Sequence, residues 1–237
     1  MSYRHTPYHM LIEAFEQPGC AICALAESDV RVYVEMLLHE NVNDIEFRGM
    51  LRKSGGFCNT HAWWLVNRSR GAAIGASIMY RDVLHSMRER LVEMSPGSSL
   101  FGTQRRKRSL GPFGGGAQAP NSDPHTECPA CEIRQRGEET FLSTMAAHSG
   151  DERFLDRFGT SSGLCMVHID LLIVAARDPL QLRRVLERQG AIIDRLVAEL
   201  DEFTRKSDYR FSEETVGEEA TAWQRAIELA NGKDGIR

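Results

Sequence analysis

All six cysteines of this 237-residue chain fall into four short pairs, and no other feature constrains the fold as strongly. Cys20 and Cys23 form a C-x2-C pair, and Cys58 and His61 form a C-x2-H pair. Cys128 with Cys131 repeats the first arrangement, and Cys165 with His168 repeats the second. C-x2-C at a turn entering a helix brings two sulfurs within reach of one ion; C-x2-H at a helix start does the same for a sulfur and an imidazole nitrogen. The order of the pairs along the chain predicts two Cys3His metal sites. The first is expected from Cys20, Cys23, Cys58 and His61, and the second from Cys128, Cys131, Cys165 and His168. Gly56 and Gly163 precede the C-x2-H pairs and let the backbone turn tightly toward the thiolates. The helix N-termini favour the ligating, deprotonated form of cysteine.

The chain is long enough to bury a core without covalent staples, so the cysteines are not needed merely to close a small fold. With 42% hydrophobic residues, 26% charged residues and a net charge of −4, its composition is that of a soluble globular protein. The mildly acidic balance argues against nucleic-acid binding. No uninterrupted apolar run of membrane-spanning length occurs, and the N-terminus lacks the layout of a secretory signal. The expected location is therefore the cytoplasm. There, closely spaced cysteines are more often metal ligands or redox-active than disulfides.

Apolar periodicity predicts helices almost throughout. Thr6-Pro7 starts one that runs to Gln17 with Tyr8, Leu11, Ile12 and Phe15, and Pro18-Gly19 stops it. The helix after Cys23 carries Leu25, Val32, Met36 and Leu37. Asp44 caps a shorter helix with Ile45, Phe47, Met50 and Leu51, closed by Gly55-Gly56. Cys58 and His61 open the next, whose apolar set is Trp64, Leu65, Ile74, Ile78, Met79 and Leu84, with a break near Gly71. After Cys131 the pattern is replayed through Phe141, Leu142 and Met145; Asp151 caps a short helix with Phe154, Leu155 and Phe158, and Cys165 and His168 open an apolar helix with Leu171, Leu172 and Val174. Asp178-Pro179 then starts a helix carrying Leu182, Val185, Leu186, Ile192, Ile193, Leu196, Val197 and Leu200. In the tail, Asp208-Tyr209-Arg210-Phe211 reads as extended. Gly217 to Asn231 reads as a helix with Trp223, Ala226, Ile227 and Ala230 on one face.

Cys128 and Cys131 lie 108 positions after Cys20 and Cys23, and Cys165 and His168 lie 107 after Cys58 and His61. So tight a register is that of an internal duplication. Between the copies, residues 95–127 lose apolar periodicity, are rich in Gly, Ser and Pro, and carry the basic run Arg105–Arg108, as a flexible linker does. The expected organisation is all-α: a helical metal-binding module over 1–94, a linker over 95–127, a second module over 128–206, and an extended segment with a clasp helix over 207–237.

Zinc takes Cys3His readily, and a filled four-ligand shell has no open position for a substrate, so such sites are structural. A [4Fe–4S] cluster in each site is the alternative, since histidine can replace a thiolate ligand; the long spacings favour zinc. Thiol redox sensing through the C-x2-C pairs, with metal release on oxidation, is a third reading. His5, His9 and Glu13 share a helical face, as do Glu35 and His39, but solvated polar faces explain both. Of Trp63 and Trp64, one is expected in the core and one at the surface. No Ser-His-Asp set, phosphate loop or dinucleotide fingerprint argues for catalysis. The expected role is a zinc-stabilised binding or adaptor module with a protein or small-molecule partner; an iron–sulfur redox protein is the alternative.

The combined pattern resembles a family of uncharacterised bacterial proteins known only as a domain of unknown function. The residues that carry the resemblance are His5-Thr6-Pro7-Tyr8, Cys20-Ala21-Ile22-Cys23, Gly56-Phe57-Cys58-Asn59-Thr60-His61-Ala62-Trp63, Cys128-Pro129-Ala130-Cys131, Gly163-Leu164-Cys165 with His168, and Asp208-Tyr209-Arg210-Phe211 with Gly217-Glu218-Glu219. Ala21 stands where the second pair has Pro129, which alters turn stiffness and no ligand. The resemblance supports the cysteine–histidine sets and implies no activity.

Overall fold

The computed structural model describes residues 6–40, 42–68, 73–93, 128–211 and 213–233. Among these, ten α-helices and no strand occur, in keeping with the periodicity. They are α1 (Pro7–Ala14), α2 (Ala21–His39), α3 (Ile45–Ser54), α4 (Asn59–Arg68), α5 (Ala73–Glu93), α6 (Pro129–His148), α7 (Glu152–Gly159), α8 (Met166–Ala175), α9 (Pro179–Lys206) and α10 (Ala222–Asn231). The linker expected over 95–127, its basic run Arg105–Arg108, the break at Gly71 and the side chains of His5 and His39 lie outside the described residues. Among the described residues no helix is long and apolar enough to cross a membrane.

Helix starts follow the sequence closely. Asp44 accepts from the Phe47 N–H at 2.8 Å, Asp151 from that of Arg153 at 2.9 Å and Asp178 from that of Leu180 at 2.9 Å. Each satisfies a donor that the first turn leaves without an intrahelical partner, at about 1 kcal/mol apiece. Thr6 precedes α1 in extended conformation with Pro7 at the first position, but makes no side-chain cap, and α1 ends at Ala14 rather than Gln17.

The chain forms two compact units, one of Met1–Asp29 with Arg134–Arg237 and the other of Val30–Ile133. Their boundaries fall inside α2 and α6, so they cut across the modules expected over 1–94 and 128–206. The core of the first unit gathers Leu11, Phe15 and Ile22 with Phe141, Met145, Phe154, Phe158, Leu172 and Ile192. Phe15 meets the rings of Phe154 and Phe158 at centroid distances of 5.3 and 5.5 Å, which locks α1 onto α7. The second core holds Val30, Val34, Leu37, Leu38, Phe47, Leu51, Trp64, Leu65, Met79 and Val83.

One local expectation is corrected. Asp208–Phe211 is not extended: residues Tyr209–Phe211 make a 3-10 turn, because the Asp208 carboxylate accepts from the Arg210 N–H and the Asp208 carbonyl from the Phe211 N–H. In the tail, Trp223 and Ile227 are exposed, whereas Ala222 is buried. Arg225 of α10 pairs with Glu199 of α9.

Candidate metal centres

Eight residues form two groups, and the pairing differs from the sequential one. Cys20, Cys23, Cys165 and His168 make the first group; Cys58, His61, Cys128 and Cys131 make the second. Each C-x2-C pair therefore joins the C-x2-H pair of the other half. The sites expected from Cys20/Cys23/Cys58/His61 and from Cys128/Cys131/Cys165/His168 are not formed. The physical reason lies in the cores: Cys20, Ile22 and Cys23 pack with Leu164, Cys165 and Ile169, while Cys58 packs with Cys128 and Ala130. All eight residues are brought together, four to each centre, and no cysteine is left over.

In each group the four ligand atoms lie within 4.8 Å of one another. In the first, His168 Nδ1 stands 3.4 Å from Cys20 Sγ, 3.5 Å from Cys23 Sγ and 3.2 Å from Cys165 Sγ, and Cys23 Sγ lies 3.8 Å from Cys165 Sγ. In the second, His61 Nδ1 is 3.3 Å from Cys58 Sγ, 3.7 Å from Cys128 Sγ and 3.3 Å from Cys131 Sγ, with 3.6 Å between Cys58 Sγ and Cys131 Sγ. Both histidines thus turn the same ring nitrogen toward the sulfurs. Each group offers three sulfurs and one imidazole nitrogen that could hold a metal ion.

Tight turns present the C-x2-H pairs. Gly56 and Gly163 adopt φ of 104° and 77°, a left-handed region costly to residues with a side chain. A Cβ at Gly56 would sit 3.3 Å from the Tyr80 ring, and one at Gly163 only 2.8 Å from Gln189 Oε1. Gln189 is buried and clamps the second turn, accepting from the Leu164 N–H at 3.0 Å and donating to the Leu164 carbonyl at 2.9 Å. Periodicity gave no sign of this residue, which interrupts the apolar face of α9.

Glu138 is a second residue that spacing did not reveal. Its Oε1 lies 3.2 Å from His168 Nε2 and 2.7 Å from Arg134 Nη1. A carboxylate behind the histidine fixes the Nε2–H tautomer and leaves Nδ1 free to ligate, the usual support of a metal-bound imidazole. A carboxylate seven residues after Cys131, two helical turns on, was the available signal. The position seven residues after Cys23 is Val30, so the matching place in the first half carries no carboxylate.

Within each group the protons are shared unequally. Hydrogen bonds from Cys131 and Cys58 push the Cys128 thiol far down, and those from Cys20 and Cys23 do the same to Cys165. The protons collect on neighbours: bonds to Cys165 and Cys23 hold the Cys20 thiol well up, and bonds to Cys128 and Cys58 hold Cys131 up. Burial pushes both imidazoles down, but bonds to thiolates outweigh it. His61 rises to about 9 and His168 to about 11. Burial would raise Glu138, yet His168 and Arg134 bring it below the usual glutamate range. A metal ion bound here would replace these shared protons and release them.

A family of unknown function, DUF6062, matches residues 9–235. The chain belongs to this family. It is also similar to an "uncharacterized 23.9 kDa protein in xynA 3'region" of Caldicellulosiruptor sp. (strain Rt8B.4), with 25% identity over 225 residues, 94% of this chain and 99% of that protein. No solved structure matches.

Proposed function

We propose that this member of the DUF6062 family is a zinc-stabilised helical protein that acts as a binding or adaptor module, with one zinc ion in each Cys3His centre. The observation that carries the reading is the spacing of the ligand atoms. Zn–S bonds of about 2.3 Å and Zn–N bonds of about 2.0–2.1 Å, arranged tetrahedrally, put sulfurs about 3.8 Å apart and sulfur and nitrogen about 3.6 Å apart. In the first centre Cys23 Sγ and Cys165 Sγ are 3.8 Å apart and sulfur-to-nitrogen distances are 3.2–3.5 Å; in the second Cys58 Sγ and Cys131 Sγ are 3.6 Å apart and sulfur-to-nitrogen distances are 3.3–3.7 Å, and in both all ligand atoms lie within 4.8 Å. A [4Fe–4S] cluster binds each ligand through a different iron at a corner of a cube, which spreads the ligand atoms well beyond 4.8 Å. The compact spacing therefore supports zinc over the iron–sulfur alternative.

A four-ligand shell offers no open position to a substrate, and this supports a structural role for the ions. The binding role draws on the surface of the second unit. Trp63 is 58% exposed and Val66 64% exposed on α4, one turn apart, and Ile74, Leu84 and Leu91 of α5 are exposed as well. Exposed apolar surface of this kind supports a binding role, and the net charge of −4 favours a protein or small-molecule partner over nucleic acid. Six thiols without disulfides fit a reducing compartment, the cytoplasm. Metal and acid-labile sulfide analysis of natively, anaerobically purified protein tests the reading. A colourless protein with two zinc ions per chain is expected; a brown protein with iron and sulfide would overturn it.

A further inference from the structure

The two centres share a ligand set but not a setting. In the first, all four ligands are buried, and Gly232, just past α10, lies against it: a Cβ there would be 3.6 Å from Cys165 Sγ and 3.8 Å from Cys23 Sγ. Lys233 is held beside it by an ion pair with Glu27 at 2.5 Å. The Glu138 carboxylate braces the histidine from behind. In the second centre Cys131 is partly exposed, alone among the six cysteines. Its sulfur has a second sulfur, Cys58 Sγ, at 3.6 Å; Cys23 and Cys165 of the first centre are as close at 3.8 Å, so access is what separates the two centres.

Ligation to zinc makes every one of the six sulfurs a thiolate, so thiolate character no longer distinguishes them. Access and a nearby resolving sulfur then decide which one an oxidant reaches. We propose that the second centre is a thiol switch for hydroperoxides, with Cys131 as the oxidised residue, while the first centre is a permanent structural site. This rests on the zinc reading above.

The chemistry needs only the peroxide as oxidant. The Cys131 thiolate attacks the terminal oxygen of a hydroperoxide ROOH; an S–O bond forms, the O–O bond breaks, and RO⁻ leaves to take a proton from water. The Cys58 thiolate then attacks the sulfenic sulfur, forming the S–S bond and expelling hydroxide. Two electrons pass from the two sulfurs to the peroxide. The ion, left with Cys128 and His61, is too weakly held to stay and departs. Loss of the second centre unties Cys128 and Cys131 at the start of α6 from Cys58 and His61 at the start of α4, both within the second unit whose surface carries Trp63 and Val66. The switch therefore acts on the proposed binding surface.

The test uses the zinc-loaded full-length protein. Hydrogen peroxide is added in small excess, released zinc is followed with a chromogenic chelator, and cysteine states are mapped by alkylation and peptide mass analysis. One zinc per chain should leave at least ~10-fold faster than the other. The early product should carry a disulfide from Cys131 to Cys58, with Cys20, Cys23 and Cys165 still reduced, and reductant plus zinc should restore it. Release of both ions at one rate, or first oxidation among Cys20, Cys23 and Cys165, overturns the switch and leaves the zinc reading standing. A native protein without zinc overturns both.

Discussion

Replacing Glu138 with alanine removes the acceptor behind His168 without touching a ligand. Its Oε1 lies 3.2 Å from Nε2, and both residues are buried, so no solvent takes its place. The imidazole N–H is left without a partner at a cost of about 1–3 kcal/mol. The ring also becomes free to turn or to change tautomer, and loss of such an outer partner lowers metal affinity by about 10–100-fold. Glu138→Gln keeps an oxygen at the same position without the charge and should recover most of the affinity. The measurement is competition of the loaded protein against a chelator of known affinity, with cysteine alkylation reporting which centre has emptied. Cys20, Cys23 and Cys165 should become reactive at lower chelator strength, while Cys58, Cys128 and Cys131 keep the wild-type midpoint. An equal shift at both centres would mean general destabilisation. Glutamine behaving like alanine would mean that the oxygen is not what holds the histidine. Either result refutes the reasoning.

Three further outcomes follow from other contacts. Gln189→Leu strips both partners from the buried Leu164 peptide groups; it should cost about 2–4 kcal/mol in urea denaturation of the loaded protein, and a loss below about 0.5 kcal/mol would contradict the clamp. Cys165→Ser should make Cys20 and Cys23 newly reactive to alkylation and leave Cys128 and Cys131 protected, whereas sequential pairing requires the reverse. Asp82 takes Arg48 at 2.5 Å and Arg52 at 3.2 Å, and the Arg48 guanidinium holds its carboxyl below the usual aspartate range. Because the folded value is the lower one, this pairing stabilises above the unfolded aspartate pKa of about 4 and is lost as pH falls through the folded value. Asp82→Asn should therefore cost about 1 kcal/mol at neutral pH and progressively less on acidification, and a pH-independent difference would refute the ion pair as its cause.

Helices and their starts were legible because Asp44, Asp151 and Asp178 act on residues two or three positions away. So was the membership of the clusters: the eight residues singled out by spacing are the eight that the fold gathers into two groups able to hold a metal ion. The pairing was not legible, because spacing places Cys20 beside Cys23 but is silent on which distant C-x2-H they meet; Cys20 and His168 are 148 positions apart. Core faces were read with mixed success for the same reason. Phe141, Leu142 and Met145 are buried as their spacing predicts, but Val32 and Met36 on α2 are exposed while Ala26, Val30 and Val34 are buried. On that helix apolar residues occur on more than one side, so periodicity leaves the buried side open and packing decides it. Of the adjacent tryptophans, Trp64 is 7% exposed and Trp63 58%, a split that neighbours on a helix make necessary.

The crossed pairing makes the order of events in folding matter. In an unfolded chain, 34 residues separate Cys23 from Cys58, whereas 141 separate it from its native partner Cys165. Closing the longer loop costs about 1 kcal/mol more, so an ion that meets the chain early is captured preferentially by the nearer, non-native C-x2-H. Such a knot of four good ligands is locally satisfied and globally wrong, and it must exchange ligands before either core can close. The ion is best supplied late, to helices already assembled. Refolding with metal present from the start should be slower than refolding first and loading afterwards.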